Sequence, residues 1–292
     1  MARKFGDRPD GRRLRDIPPM MQVLTDIKPR RADNLVYINQ KVDVTELADY
    51  LAKKKEAGDA YTYFHAILAL VGKTLYNRPK LNRFISNRHF YEHTEVSFSY
   101  IAKVGFDDNS IEIMSVLEVE PGDTIKEIRE KISKKIDAVR KSHDDAGDAT
   151  NDAMNFVGKL PNVLRVPVMG MFKLMAKTGK LPREFTKNNL YYSSMIISNL
   201  GAIRCGAIVH NIADFGTASS LLTIGEVKDE EVLQPDGTTA IRKICEFGVS
   251  LDERIGDGYY FAKSVHLMQY ILSHPEMLEE RADTPIPMDE IR

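Results

Sequence analysis

The chain has 292 residues, and a chain of this length buries roughly 75% of its unfolded surface in a core that needs no disulfide bonds. Hydrophobic residues make up 43% of the chain and charged residues 28%, which excludes a largely disordered protein. The 41 Lys and Arg residues against 42 Asp and Glu residues give a net charge of −1, which argues against nucleic acid as the main partner.

The cysteine count and the N-terminus indicate the compartment. Cys205 and Cys245 are too few for a disulfide framework and are typical of a reducing cytosol. The first residues are polar and basic, without the apolar segment of a secretory signal, and no apolar run is long enough to cross a membrane. We therefore expect a cytoplasmic protein.

The first half of the chain alternates between strand and helix patterns. Apolar and polar residues alternate over 35–44, which predicts a strand, and an amphipathic helix follows it and ends at Gly58. A second helix is predicted over 60–76, with a broad apolar stripe, and Pro79 ends it.

Two strands and a long helix come next. The strands are predicted at 95–103 and 110–119, with turn residues at 107–109 between them. The helix spans 124–142, where isoleucines recur at spacings of three and four residues, and a polar loop over 143–150 follows it.

The segment 151–185 differs from the rest of the chain. Its Met, Phe, Leu and Val residues are interleaved with six Lys and Arg residues and only two acids. The sequence predicts a pair of short helices that are broken at Pro161 and Gly170.

The last third returns to strands, predicted at 191–199, 219–227 and 240–251, with a hairpin turn at 235–237. A closing helix over 257–272 ends the pattern. Strands and helices alternate with no Gly- or Pro-rich linker between the halves, so we predict one α/β domain with helices packed against one or two sheets.

Charge is unevenly distributed along the chain. Residues 1–31 carry a net charge of +5, whereas residues 226–292 carry −8. We interpret this as complementary ends of one folded unit or of neighbouring subunits, in preference to a basic binding arm.

Common catalytic and ligand-binding motifs are missing from the sequence. His89 and His93 are the one close histidine pair, and no Cys pair or HExxH motif accompanies them, so we expect no metal site. Glycine-rich phosphate loops and the GxSxG nucleophile motif are absent as well. His65 and His210 are interpreted as structural histidines.

Two short segments carry chemistry of their own. Residues 198–201 (Ser-Asn-Leu-Gly) end a predicted strand and could direct a hydroxyl and a backbone N–H toward a reacting oxygen. Residues 252–258 (Asp-Glu-Arg-Ile-Gly-Asp-Gly) place three carboxylates and one arginine in a sharp turn. Charges at such a turn either pair structurally or belong to a site, and the residues alone leave both readings open.

These segments resemble motifs of the chloramphenicol acetyltransferase-like superfamily, in particular the acyltransferase (E2) catalytic domain of 2-oxo acid dehydrogenase complexes. The turn at 252–258 resembles the family's Asp-His-Arg-x-x-Asp-Gly, and Pro-Glu-Met-Leu at 275–278 resembles its Pro-Glu-x-Leu tail. Residues 195–201 resemble its Phe-Thr-Ile-Ser-Asn-Leu-Gly strand, and 222–225 its Leu-Ala-Ile-Gly strand.

The resemblance extends over about residues 12–278, broken at 151–185. It implies a two-layer α/β sandwich with a mixed β-sheet and a helical insertion at about 151–185. We expect one acyltransferase-like domain at 12–280, a basic arm at 1–11 and a tail at 281–292. The lipoyl and subunit-binding domains of the complexes are absent, which predicts a stand-alone protein.

The resemblance also implies roles for individual residues. Glu253 occupies the position of the family's catalytic histidine, and Ser198 matches the hydroxyl that binds the tetrahedral oxyanion. Asp257 matches the aspartate that braces the turn by pairing with an N-terminal arginine, here Arg12 or Arg13. The implied donor is acyl-CoA, with no metal, and the implied assembly is a homotrimer whose site lies between subunits and takes a small-molecule acyl acceptor.

The exchange of histidine for Glu253 leaves two functions open. An unperturbed glutamate is about two pKa units less basic than a histidine, ~3 kcal/mol, and its negative charge would repel the thiolate and the oxyanion. One hypothesis is an acyltransferase in which burial raises the pKa of Glu253 so that it acts as a base toward an amine or alcohol. The other is a catalytically degenerate member that binds a ligand or serves as an assembly subunit.

The basic segment 151–185 also has two interpretations. It can lie on an anionic membrane surface, or it can pack on its own subunit as a lid over the ligand channel. Pro161, Gly170 and Pro182 divide it into pieces that are too short for a stable interfacial helix, which favours the lid.

Overall fold

The computed structural model describes residues 4–103, 112–141, 157–187 and 189–291. Within these residues the chain forms nine strands. They are β1 (Gly11–Arg13), β2 (Leu35–Asp43), β3 (Arg83–Ser86), β4 (His89–His93), β5 (Val96–Lys103), β6 (Glu112–Val119), β7 (Met195–Asn199), β8 (Ser220–Leu233) and β9 (Thr239–Asp252).

Six of these strands form the main sheet, in the order β2-β9-β8-β7-β5-β6. The pairs β5–β7 and β7–β8 are parallel and the other neighbouring pairs are antiparallel, so the sheet is mixed as predicted. The three remaining strands form a second sheet, β1-β4-β3, which the sequence reading did not anticipate because these strands are only three to five residues long.

The longer helices lie between and beside the strands. They are α1 (Pro19–Ile27), α2 (Thr45–Glu56), α3 (Tyr63–Asn77), α4 (Ile125–Lys141), α5 (Asn162–Thr178), α6 (Arg183–Lys187) and α7 (Gly258–Ser273). Helix α3 is the most deeply placed of them, since every residue over 66–75 is buried. Its apolar side chains share one large core with those of α2, α4, α7 and the main sheet. The molecule is therefore a sheet with helices packed on it, as the α/β prediction requires.

The helix prediction for the basic segment was wrong in one respect. A break occurs at Pro161, but α5 then runs for 17 residues through Pro167 and Gly170. Pro167 is only the sixth residue of the helix, so it removes a single backbone hydrogen bond near the first turns. The last turns are held by packing of Phe172 and Met175 onto Leu181 and Tyr192.

Other predictions can be compared directly with the elements. Strands β8 and β9 are longer than expected and form a hairpin that extends past the sheet. The turn at 107–109 and the loop at 143–150 lie outside the described residues. No helix in the described ranges is long and apolar enough to cross a membrane.

Candidate functional site

The turn that follows β9 is built on a buried ion pair. The carboxylate of Asp252 is completely buried, and it accepts hydrogen bonds from Arg254 Nε at 2.8 Å and Arg254 Nη2 at 2.6 Å. Arg254 Nη1 donates to the carbonyls of Lys28 at 3.1 Å and Pro29 at 3.2 Å. This one guanidinium therefore fixes the turn and also ties it to the segment that follows α1.

A second arginine lies against the same carboxylate. Arg31 is buried, with Nε 4.0 Å from Asp252 Oδ2, and its Nη atoms donate to the carbonyls of Ala213 and Gly216. Burial lowers the pKa of Arg31, and the nearby charge of Asp252 opposes that effect. Two guanidinium groups thus share one buried carboxylate, and Arg31 also holds the loop at 213–216.

Glu253 points away from this buried layer. Its side chain is 42% exposed, and Oε1 lies 2.9 Å from Lys28 Nζ, which is itself 46% exposed. The Lys28 carbonyl is the one that Arg254 holds, so the turn positions both members of the Glu253–Lys28 pair. The burial that would make Glu253 a stronger base is absent from this single subunit.

A cavity of about 920 Å³ opens beside Glu253. Lys80 and His266 contribute polar groups to its wall, and Val36, Ile38 and Phe261 contribute apolar surface. Sequence analysis did not single out His266. Its signal is the helical spacing of the cavity-lining residues on α7, which are Gly258, Phe261, Ala262, Val265, His266 and Gln269.

The predicted ion pair of Asp257 with Arg12 or Arg13 is not present in the described chain. Asp257 is exposed and caps α7, its Oδ1 accepting from the backbone N–H of Tyr260 at 2.8 Å. Arg12 lies opposite Glu92 in the small sheet, and Arg13 Nη2 lies 3.1 Å from His89 Nδ1. The prediction failed because the arginine–aspartate pair that braces the turn is formed by its own neighbours, Asp252 and Arg254.

Ser198 lies at the far end of another strand. It is the fourth residue of β7, half-buried, and it pairs with Thr223, which in turn lies opposite Gly248 on β9. Glu253 follows Gly248 by five residues, which corresponds to about 17 Å along the strand direction. The structure therefore does not bring Ser198 and Glu253 together within one chain.

The chain that leaves β7 is held by close backbone approaches. Thr223 Oγ1 donates to the carbonyl of Ile208 at 2.6 Å and accepts from the N–H of Ile208 at 3.2 Å. A Cβ atom on Gly248 would lie 2.3 Å from the Ile208 carbonyl oxygen, and one on Gly225 would lie 2.7 Å from the nitrogen of Ala207. The loop after Ser198 thus crosses the sheet at a place where side chains do not fit.

His65 and His210, which the sequence analysis interpreted as structural, each have a hydrogen-bond partner. His65 forms a capping box with Thr62 at the start of α3, and the exposed His210 places Nδ1 2.7 Å from the carbonyl of Asn211. Burial lowers the pKa of His93 to about 4, so this ring is neutral near pH 7. Among the residues that the structure describes, no group of three or more His, Cys, Asp or Glu side chains is arranged to hold a metal ion.

The chain is similar to known acyltransferases both in sequence and in fold. Residues 160–279 match the family model of the 2-oxoacid dehydrogenases acyltransferase catalytic domain, a range that includes Ser198 and the turn at 252–258. The chain has the chloramphenicol acetyltransferase-like fold of these acyltransferase domains. A search of curated proteins finds no match.

Three solved structures show the extent of the fold similarity. A probable dihydrolipoamide acetyltransferase from Listeria monocytogenes is 18% identical, with 93% of this chain and 96% of that chain covered and a TM-score of 0.56. The cubic core of a pyruvate dehydrogenase multienzyme complex is 14% identical, with coverages of 91% and 94% and a TM-score of 0.58. A chloramphenicol acetyltransferase is 9% identical, with coverages of 90% and 98% and a TM-score of 0.50.

The predicted resemblance and fold class are thereby confirmed. The family model matches the C-terminal part of the chain, and the solved structures share its fold. The sequence resemblance predicts that Glu253 occupies the position of the family's histidine, and in the structure its carboxylate lies 2.9 Å from Lys28 Nζ.

Proposed function

We propose that this protein transfers an acyl group from acyl-CoA to an amine or alcohol, at a site completed between subunits of a homotrimer. Glu253 is the proton acceptor, Lys28 is its charge partner, and Ser198 of the neighbouring subunit binds the oxyanion. The observation that carries this proposal is the 2.9 Å contact between Glu253 Oε1 and Lys28 Nζ beside a 920 Å³ cavity.

The ion pair with Lys28 offsets the repulsion that an ionised glutamate at 253 would exert on the thiolate and the oxyanion. A carboxylate alone is negative and repels a leaving thiolate. The Glu253–Lys28 pair carries no net charge before proton transfer and a net charge of +1 afterwards, the same change that a neutral imidazole undergoes. The protonated pair therefore attracts the negative charge that develops in the transition state.

The reaction then balances as a general-base acyl transfer. The acceptor nitrogen or oxygen attacks the thioester carbonyl carbon while its proton passes to the Glu253 carboxylate. The carbonyl oxygen becomes an oxyanion that accepts a hydrogen bond from the Ser198 hydroxyl. The carbon–sulfur bond breaks, and the coenzyme A thiolate takes the proton from Glu253.

Two apolar surfaces support a site between subunits. Helix α1, next to Glu253, exposes Met20, Val23, Leu24 and Ile27, which lie on one face at spacings of three and four residues. The loop beyond Ser198 exposes Ile203, Ile208 and Val209. The proposed trimer joins one surface to the other in a heterologous contact with three-fold rotation, which would bring Ser198 toward Glu253 of the next subunit.

The test of the chemistry measures release of coenzyme A thiol from a panel of acyl-CoA donors with amine and alcohol acceptors. Glu253→Gln should lower kcat by about 10² to 10⁴. Lys28→Met should lower it by about tenfold, with recovery in Lys28→Arg. Lys53→Met, an exposed lysine on α2, is the matched control and should leave kcat unchanged.

The test of the shared site mixes two inactive variants. Ser198→Ala and Glu253→Gln subunits, co-expressed in equal amounts, should regain about a quarter of the native activity, because each mixed trimer contains one site with both native residues. A monomer by light scattering, or mixtures without recovered activity, would contradict the shared site.

The second candidate is a degenerate member that binds a ligand without turnover. It is favoured by the exposure of Glu253, which leaves the carboxylate hydrated. A native protein with no turnover on the panel, combined with a Glu253→His variant that gains turnover, would establish this candidate and reject the first.

A further inference from the structure

Helix α5 presents an apolar surface to solvent. We call the side chains of Val163, Leu164, Val166, Met171 and Leu174 the outer face of α5. Val163 is 83% exposed, Val166 67% and Leu174 64%, and a Cβ atom built on Gly170 beside them meets nothing within 4 Å. A helix with apolar residues on all sides is normally covered on all sides. Among the residues that the structure describes, nothing covers the outer face.

The inner side of α5 is firmly attached, so the exposure of the outer face does not arise from a detached helix. The buried guanidinium of Arg8 donates to the carbonyl of Ala176 at 3.0 Å and pairs with Asp10 at 2.8 Å. Ser86 Oγ donates to the carbonyl of Lys177 at 3.0 Å, and the rings of Phe172 and Phe185 meet edge to face. These contacts determine which side faces outward.

The charges around the outer face have a single sign. Residues 157–183 contain six Lys and Arg residues and no acid. Lys159, Lys173, Lys177 and Lys180 are exposed and form no ion pair within the described ranges. A second copy that met this surface through its own α5 would bring two such clusters together, which is unfavourable.

We propose that the outer face of α5 docks on an anionic lipid surface. Exposed aliphatic side chains between unpaired lysines are the combination that inserts at the headgroup boundary of a negatively charged membrane. At 1.5 Å per residue, the 17 residues of α5 form a helix about 25 Å long, which removes the sequence-based argument that the segment is too fragmented for this role. The predicted lid requires the outer face to be buried in the trimer, whereas in the single chain Val163, Val166 and Leu174 are exposed.

The first experiment is cosedimentation of the full protein with phosphatidylcholine vesicles, with or without 30% phosphatidylglycerol. We expect binding only to the anionic vesicles, weakened by added salt. Leu174→Glu should lower partitioning of the protein onto the anionic vesicles more than tenfold. The double variant Lys173→Gln/Lys177→Gln should also lower it more than tenfold, because each lysine contributes about fivefold. Ile241→Glu, at an exposed apolar position on β9, and Lys53→Gln/Lys55→Gln are matched controls and should bind like the native protein.

The second experiment uses the absence of tryptophan from this chain. In Leu174→Trp the single indole should shift its emission to shorter wavelength with anionic vesicles and should be quenched by brominated lipid. The indole of Ile241→Trp should not respond. Equal partitioning of Leu174→Glu and native protein, no binding to anionic vesicles, or a Leu174→Glu variant of lower oligomer mass would overturn the proposal; the last result would assign the outer face to a second copy.

Discussion

The two halves of the proposed site are held in place by opposite means. The turn that carries Glu253 rests on buried charge, with Asp252 between Arg254 and Arg31. The chain beyond Ser198 rests on backbone contacts, where glycines allow the loop at 206–208 to lie against the sheet and Thr223 bonds to it. The turn therefore depends on the charged side chains of Asp252, Arg254 and Arg31. The loop beyond Ser198 depends on the hydroxyl of Thr223 and on the absence of side chains at Gly225 and Gly248.

Glu253 itself takes no part in the buried contacts of the turn. The residue at 253 projects from the ion-paired layer toward the cavity and contributes none of the bonds within that layer. A substitution at 253 is therefore expected to change the chemistry beside the cavity without removing a bond of the turn. Lys28, the partner of Glu253, is positioned by Arg254, which donates a hydrogen bond to the Lys28 carbonyl.

The largest expected effect lies in the buried half. Asp252→Asn leaves two buried guanidinium groups without a counter-charge and should lower the free energy of unfolding by about 3–5 kcal/mol. Asp257→Asn, five residues along the same turn, keeps a good helix cap and should change it by less than about 0.5 kcal/mol. Urea denaturation of both variants measures the contrast. Similar losses from the two would show that Asp252 has no special role.

A pH effect of comparable size should come from His93, a buried residue of β4. Its pKa is about 4 in the folded protein because of burial, and about 6.5 in the unfolded chain. Between these values the unfolded state binds more protons, so stability should fall by up to about 3 kcal/mol as the pH decreases from 6.5 to 4. His93→Gln should lose this part of the slope, whereas the exposed His266→Gln should keep it. Parallel slopes in native protein and His93→Gln would contradict the assignment.

The smallest expected effect lies in the backbone-held half. Gly248→Ala places a methyl group 2.3 Å from the Ile208 carbonyl oxygen, so the loop must move, at a cost of about 1–3 kcal/mol. Gly258→Ala in the turn half meets no atom within 4 Å and should be neutral or stabilising by up to about 1 kcal/mol. Thermal unfolding distinguishes the two, and a Gly248→Ala protein as stable as the native one would show that the loop adapts freely.

Much of the fold was predictable because its elements are long and regularly patterned. The strands at 35–44, 219–227 and 240–251 and the helix at 257–272 were placed to within a few residues at most boundaries. The small sheet and α1 were missed, since strands of three to five residues and a nine-residue helix carry too little periodicity. The break expected at Gly170 did not occur, because tertiary packing outweighs the helix propensity of one glycine.

In the candidate site, too, the residues with a local sequence pattern were predicted and those brought together by tertiary packing were not. Ser198 and the 252–258 turn were identified from local residue order, and their roles stay predictions. His266 and Lys80 were not identified as cavity residues, since the cavity joins segments that are far apart in the sequence.

By itself, the sequence determined the order of the longer strands and helices, the residues of the turn and the presence of a glutamate at 253. These depend on patterns within a few residues, which local propensity and side-chain periodicity report directly. Only the tertiary structure decided that Asp252 rather than Asp257 is the buried carboxylate, that Lys28 is the partner of Glu253, and that α5 exposes an apolar face. Ion pairing and burial depend on which distant segments meet across the core, and that information is not contained in the spacing of neighbouring residues.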